Sequence, residues 1–353
     1  MNRTLNPTHL QTSLQRMVDN KSIFSVAMKV ENGDASLSWS GAAGCMQVED
    51  NYFIASVTKM YITVLVMKLI DEGKIRLEDK ISEHLPGHFC DKIHVFKGVD
   101  YSGQLTIRHL ITNTSGIPDY FFHKQENGRT VADELMEGKD EAWPLERTIG
   151  LIQGLKPKFK PGAKAAYSDS NYQLLGKIIE EVSGLSIPEI MKVYIFDPLG
   201  LKNTYIYQDT SDNMPAPFYY GSKKLWLPNY MASIGPEGGI VSTIDEVMVF
   251  LKAFFEGVFF PKEKIESLKE WKMIFPPPGL FQFGIGLEKL WIPWIVSPFK
   301  YPGEILGFWG QTGTFAFYNP KTDLYFCGAT NQINGVGHRK ATGLMIKTIK
   351  STL

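Results

Sequence analysis

What the chain lacks narrows its function first. Only three of its 353 residues are cysteine: Cys45, Cys90 and Cys327. Odd in number and far apart, they outline neither a disulfide framework nor a zinc site and read as reduced, buried side chains. No charge is in excess, since lysine plus arginine and aspartate plus glutamate both number 37. Without a long basic stripe either, nucleic acid is not the expected partner. Long apolar runs are missing: the longest, Met60 to Ile70, contains Lys68 and falls short of the ~20 residues that cross a bilayer, so no membrane span is expected. The stretch Met1 to Gln15 is polar, with no apolar core or small-residue cleavage site of a secretory signal, and the expected location is the cytoplasm. None of the seven histidines stands in an H-E-x-x-H pattern, and no Gly-x-Ser-x-Gly elbow occurs. No metal and no cofactor are implied.

What is present is a globular composition, 44% apolar and 21% charged, on a chain long enough for one large mixed domain or two smaller ones. A helix is expected from about Pro7 to Asn20. Phe24 to Val30 and Ala35 to Trp39 alternate at period two around Asn32-Gly33-Asp34, which predicts a β-hairpin. Ser56 opens a helix through about Glu72, stopped by Gly73, and shorter helical patterns follow at Thr106 to Thr112 and Asn171 to Ser183. After a helix near Thr243 to Phe255 comes a Pro- and Trp-rich stretch, Phe275 to Pro302, and then a second hairpin, Gly313 to Tyr318 and Leu324 to Ala329. A helix over about Gly337 to Lys350 ends the pattern. Strand content therefore sits at the two ends, which predicts an α+β fold: an antiparallel sheet flanked by helices, built from residues 1–85 and 231–353, with an all-helical subdomain over about 86–230. The active site is expected in the cleft between them.

Ser-x-x-Lys occurs twice. Ser297-Pro-Phe-Lys300 lies among prolines and is assigned to a loop without a catalytic role. Ser56-Val-Thr-Lys59 instead opens the apolar helix, where residues three apart share a face. There the partial positive charge of a helix N-terminus favours a developing alkoxide, and a lysine in a dry pocket can accept a proton. The plainer reading is that Ser56 is an N-cap and Lys59 a solvated first-turn residue; the nearly all-round apolar helix argues for burial. A second cluster, Tyr167-Ser-Asp-Ser-Asn-Tyr172, follows Phe159-Lys-Pro-Gly162. Tyr167 there is either a proton relay beside Lys59 or a turn tyrosine, with Asp169 or Ser170 capping the next helix. The third, Gly310-Gln-Thr-Gly313-Thr314, enters a strand, and its glycine would let a substrate approach the backbone. His109 and His338 read as mainly structural. Phe218-Tyr-Tyr220 with Trp226 and Tyr230 lines an acyl pocket or simply packs.

Together these segments, in order and spacing, resemble the penicillin-recognising serine hydrolases: class C β-lactamases, D-alanyl-D-alanine carboxypeptidases and related esterases and peptidases. Phe53-Ile-Ala55, Gly73 to Asp79, Leu105 to Asp119 with its Thr-Ser-Gly-Ile-Pro-Asp, Pro198 to Thr204 and Gly238 to Thr243 extend the likeness over most of the chain. The resemblance implies a β-lactamase/transpeptidase-like fold. It makes Ser56 the acylated nucleophile, Lys59 its base, Tyr167 a proton relay, and the Ser56 and Thr314 amides an oxyanion hole. It also assigns Asp169, Gln311, Thr312, Gly313 and Thr314 to substrate binding. Two positions depart from the family: Asp169 stands where many members have asparagine, and Gln311 where histidine or lysine is usual. A carboxylate beside Lys59 either holds it protonated or faces a cationic group on the substrate. Neutral Gln311 weakens recognition of acidic termini and favours neutral esters or amides. The expected function is an acyl-enzyme esterase or amide hydrolase on small molecules, with β-lactamase or carboxypeptidase as the alternative. A covalent receptor that deacylates slowly is the alternative of another class, and a non-catalytic scaffold a third.

Overall fold

The computed structural model describes residues 5–274, 281–292, 300–333 and 335–353. Helix α1 (Pro7–Met17) starts where the Asn6 side chain accepts from the His9 amide at 2.9 Å and proline fills the first turn. It ends short of Asn20 because Asp19 Oδ1 accepts from the amides of Lys21, Ser22 and Ile23, which closes a turn instead. The predicted hairpin follows as β1 (Ser25–Asn32) and β2 (Ser38–Gly44), in register from Ser25↔Gly44 to Glu31↔Ser38. β2 runs on past Trp39 through small residues with no apolar alternation, because α1 lies across them. A side chain on Gly41 would collide with Gln11 and Trp39, and Gln11 donates to Ala42 O at 2.9 Å.

Helix α2 (Thr58–Asp71), preceded by a 3-10 turn at Ala55–Val57, is buried on nearly every side. Next come α3 (Asp169–Ser183), the short α4 (Gly235–Gly238) and α5 (Ile244–Glu256). The other strands of the β1–β2 sheet are β3 (Lys272–Met273), β4 (Phe281–Phe283), β5 (Glu288–Leu290), β6 (Ile305–Gly310), β7 (Thr314–Asn319) and β8 (Leu324–Ala329), and α6 (Val336–Thr352) ends the chain. They form one antiparallel sheet in the order β3-β4-β5-β6-β7-β8-β1-β2. The two ends of the chain meet where β8 pairs with β1, from Ala27↔Ala329 to Asn32↔Leu324.

One apolar layer joins this sheet to α1 and α6 through Leu10, Leu14, Leu344 and Met345. The other joins it to α2, α5 and the middle of the chain, which positions α2 and its first turn under β6. That middle is mostly helical but not wholly so, a correction to the all-helical expectation. Val95–Phe96 pairs with Val99–Asp100 across Lys97 and Gly98, whose φ angles of 51° and 81° supply the turn. Phe218–Tyr220 pairs with Lys223–Leu225 across Gly221, and Tyr205–Ile206 joins Ile240–Ser242 and Tyr52–Phe53 in a three-stranded sheet. Among the described residues no helix is long and apolar enough to cross a membrane. Ser297 of the second Ser-x-x-Lys, and residues 275–280 and 293–299 of the Pro- and Trp-rich stretch, lie outside the described residues.

Candidate active site

The chain reaches Ser56 through a strained residue. Ala55 has φ 47°, a left-handed conformation that costs a non-glycine residue about 1 kcal/mol or more. The β6–β7 hairpin holds this segment in place. Thr312 Oγ1 donates to Phe53 O at 3.1 Å and Thr314 Oγ1 to Ile54 O at 2.8 Å. Gly310 is what allows the approach, since a Cβ there would stand 2.5 Å from Ile54 O. The Ser56 amide donates to no acceptor among the described residues. In the turn opposite, the amides of Gln311 and Thr312 are likewise unengaged, whereas the Gly313 amide closes the turn onto Gly310 O at 2.9 Å.

Ser56 Oγ accepts from Lys59 Nζ at 2.9 Å and from Tyr167 OH at 2.8 Å. Lys59 is 0% exposed, and its three protons are fully used. Beyond Ser56 it donates to Glu237 O at 2.6 Å and pairs with Asp169 Oδ1 at 2.7 Å. Of the two alternatives left open for Asp169, the pairing with Lys59 is the one seen. The capping role is not: Ser168 is the N-cap residue of α3 without a side-chain hydrogen bond, and Ser170 Oγ donates to Pro118 O at 2.9 Å. Burial, then the charge of Asp169, holds the Tyr167 hydroxyl well above its ordinary range, while its hydrogen bond to Ser56 acts the other way. The Tyr167 hydroxyl and the Lys59 amino group thus both point donors at the serine oxygen. Such a set can stabilise an alkoxide and, once Lys59 gives up a proton, can take the serine's own.

Three further carboxyl groups surround this pair, of which only Asp119 lies in a segment that the sequence patterns marked. Asp119 is raised to about 7 by burial and by Asp169, although the Asp169 amide donates to it at 3.1 Å. Burial also raises Glu237, with Asp169 adding to it, and Tyr120 OH donates to its Oε1. Glu288, on β5, is raised to about 8 by burial, opposed by the Trp309 amide at 3.0 Å and by the charge of Lys59. Its alternation signal was there to find: Glu288 and Leu290 face inward while Lys289 is half-exposed.

All of these groups open on one cavity of about 840 Å³. Its apolar wall includes Phe121, Leu135, Phe218, Tyr230, Met231 and Ile234. The aromatic run therefore divides, because Tyr219 stacks on Phe24 and Trp226 packs beside Phe53, away from the wall. Ser56, Tyr167, Asp169, Gln311 and Thr312 line the cavity, with Lys59 buried directly behind Ser56. Gly313 and Thr314 do not. Gly313 has φ 80° and a Cβ there would meet Thr330 and Gln332, so its glycine serves the turn and not a substrate. Thr314 is 1% exposed and paired with Gly310 and Ala329, which sets it in the sheet, off the cavity wall. His109 shares a capping box with Thr106, as a structural residue does. His338 lines the cavity and its Nε2 lies 2.8 Å from Gly310 O.

Comparison with known proteins follows the same lines. A family model described as Beta-lactamase matches residues 15–347. A penicillin-binding protein of Bacillus subtilis (strain 168) is 27% identical over 289 residues, which covers 73% of this chain and 58% of that protein. The chain thus spans little more than half the length of that relative. Among solved structures, a D-stereospecific amidohydrolase from Streptomyces sp. superposes with a TM-score of 0.77 at 22% identity, covering 96% of this chain and 98% of the other. EstCE1, a hydrolase with promiscuous acyltransferase activity, gives 0.79 at 21%, covering 97% and 98%. Both are likenesses of fold.

Proposed function

The chain belongs to the beta-lactamase family, and from that premise we propose that it is an acyl-enzyme serine hydrolase of small esters or amides with an apolar acyl portion. One observation carries the reading: Ser56 Oγ sits at the cavity wall between Lys59 Nζ at 2.9 Å and Tyr167 OH at 2.8 Å. In the proposed reaction Ser56 Oγ attacks the acyl carbon, and its proton passes to neutral Lys59, with Tyr167 handing a proton on to the leaving group. The oxyanion is received by the unengaged amides of Ser56 and of the Gln311-Thr312 turn. Water then adds to the acyl-enzyme along the reverse proton path. Asp169, Gln311 and Thr312 face the substrate in this reading, while Gly313 and Thr314 hold the hairpin.

The acyl preference follows from the wall. Phe121, Leu135, Phe218 and Ile234 offer apolar surface worth about 25 cal/mol per Å² of substrate covered. An acidic substrate meets the Asp169 carboxylate and neutral Gln311, which places β-lactam or carboxypeptidase turnover behind ester and amide hydrolysis. The relative of Bacillus subtilis carries a penicillin-binding name and the Streptomyces structure an amidohydrolase name, and the cavity supports the second better. A series of 4-nitrophenyl esters from acetate to decanoate tests this: kcat/KM is expected to rise with chain length before it levels off. A flat or falling series contradicts the apolar acyl site.

A further inference from the structure

The reaction proposed above leaves one proton without a destination. Lys59 must be a neutral amine when it takes the Ser56 proton, yet its surroundings favour the ammonium. Its Nζ contacts Ser56 Oγ at 2.9 Å, Glu237 O at 2.6 Å and Asp169 Oδ1 at 2.7 Å, and the rings of Tyr167 and Tyr172 each lie 5.2 Å from it. The side chain is 0% exposed and presents no surface from which solvent could remove a proton. Of the three contacts, Ser56 is itself the donor in the reaction, and a peptide carbonyl is far too weak a base. The Asp169 carboxylate is what remains. Its Oδ1 takes no hydrogen bond from any other group among the described residues. The other carboxyl groups of the site are held elsewhere: Asp119 by the amides of Asp169, Phe121 and Phe122, Glu237 by Tyr120, and Glu288 by the Trp309 amide.

Resting on the hydrolase reading, we propose that Asp169 is a second base behind Lys59: it takes the ammonium proton as Lys59 takes the proton of Ser56. The Ser56 O–H bond breaks as Oγ bonds to the acyl carbon, Nζ gains that proton and gives one to Oδ1, and the carbonyl electron pair moves onto the oxyanion. This transfer shifts a proton within a buried contact pair, whereas release to solvent would strip a buried carboxylate of its counter-ion. It also frees the re-formed ammonium from Asp169, so that its whole charge faces the oxyanion. When the intermediate collapses, the bond to the leaving group breaks, Lys59 supplies the leaving group's proton through Tyr167, and Asp169 returns its own proton to Lys59. No proton has to leave the site before the attack, and acylation does not wait on free lysine base.

The test is the pH dependence of kcat/KM for 4-nitrophenyl butanoate, from pH 6 to pH 8.5, in the wild type and in Asp169→Asn. Asparagine keeps the shape and cannot take a proton. The variant must wait for Lys59 to lose its proton, and its rate should rise by about tenfold per pH unit until that loss is complete. The wild type should lack this slope and exceed the variant by roughly tenfold or more at pH 6. Across the range Asp119 and Glu288, raised to about 7 and about 8, add at most one step each, and Glu237, Tyr120, Tyr167 and Tyr172 keep their protons. The remaining wall groups, exposed Lys158 and Arg339 and the Gly310-bound His338, are the same in both proteins. A ratio between the two proteins that stays constant with pH, or a variant at least as fast as the wild type at pH 6, overturns the relay, because the carboxylate then only holds Lys59 charged. In mixtures of light and heavy water the wild-type rate should curve with deuterium fraction, as two protons moving in one step require; a straight line overturns the relay without recourse to any variant. No turnover of any ester by the wild type would sink the hydrolase reading and the relay together, whereas turnover with a constant ratio and a straight line sinks the relay alone.

Discussion

Replacing Glu288 by glutamine should change how stability depends on pH. The Glu288 carboxyl is 8% exposed and is raised from 4.5 to about 8, mainly by burial. Between those values the unfolded chain has lost a proton that the folded protein still holds, so stability falls as pH rises through the window. Each unit is worth about 1.4 kcal/mol. The full span from 4.5 to about 8 therefore sets a ceiling near ~5 kcal/mol, and relaxation and water entry reduce the expected loss to about 2–3 kcal/mol. Glutamine keeps an acceptor for the Trp309 amide and cannot ionise. Urea unfolding at intervals from pH 5 to pH 8.5 is the assay. At pH 5 the variant should be slightly the weaker, by about 1 kcal/mol for its extra buried N–H group. By pH 8.5 it should have gained about 2–3 kcal/mol on the wild type. Asp119 and Glu237 leave a residual slope common to both proteins. Parallel curves would refute the argument that Glu288 is held protonated by its surroundings.

Three other substitutions carry distinct expectations. Tyr167→Phe removes the 2.8 Å hydrogen bond to Ser56 and should lower kcat by about 10²–10⁴-fold with little change in the urea midpoint; a rate within threefold of wild type would contradict its place in the reaction. Gly310→Ala puts a Cβ 2.5 Å from Ile54 O, so a loss of about 1–3 kcal/mol is expected together with a fall in kcat as the Ser56 turn shifts. Gly343→Ala is its opposite: that position lies inside α6 with nothing within 4 Å of a Cβ, and thermal melts should show a gain of about 0.5–1 kcal/mol without effect on turnover.

Much of the fold was legible because its signals are local. The alternation of β1, the apolar α2 and the second hairpin, Gly313 to Tyr318 and Leu324 to Ala329, each follow from neighbouring residues. β2 was cut short because its alanines and glycines answer to α1 across the sheet, and no local pattern records that. The strands inside the helical middle were missed although Lys97-Gly98 is a turn signal, since strands of two or three residues carry too little periodicity to read. At the site, Ser56, Lys59 and Tyr167 stood out through spacing and likeness, and the structure brings all three within hydrogen-bond distance. Gly313 and Thr314, which the likeness assigns to substrate binding, lie in the turn and the sheet and do not line the cavity. Glu237 and Glu288 escaped notice because their meaning lies in depth: a carboxyl group announces nothing in sequence until the folded chain buries it beside another.

The central claim, that Ser56 is acylated and then freed, is tested most directly by intact-mass spectrometry over time. The protein is mixed with a 4-nitrophenyl ester while 4-nitrophenol release is followed in the same tube, with Ser56→Ala beside it. A transient acyl adduct on the wild type, continuous release, and neither signal above background in the variant are predicted. An adduct that persists after a single stoichiometric burst, or equal release by Ser56→Ala, would contradict the account.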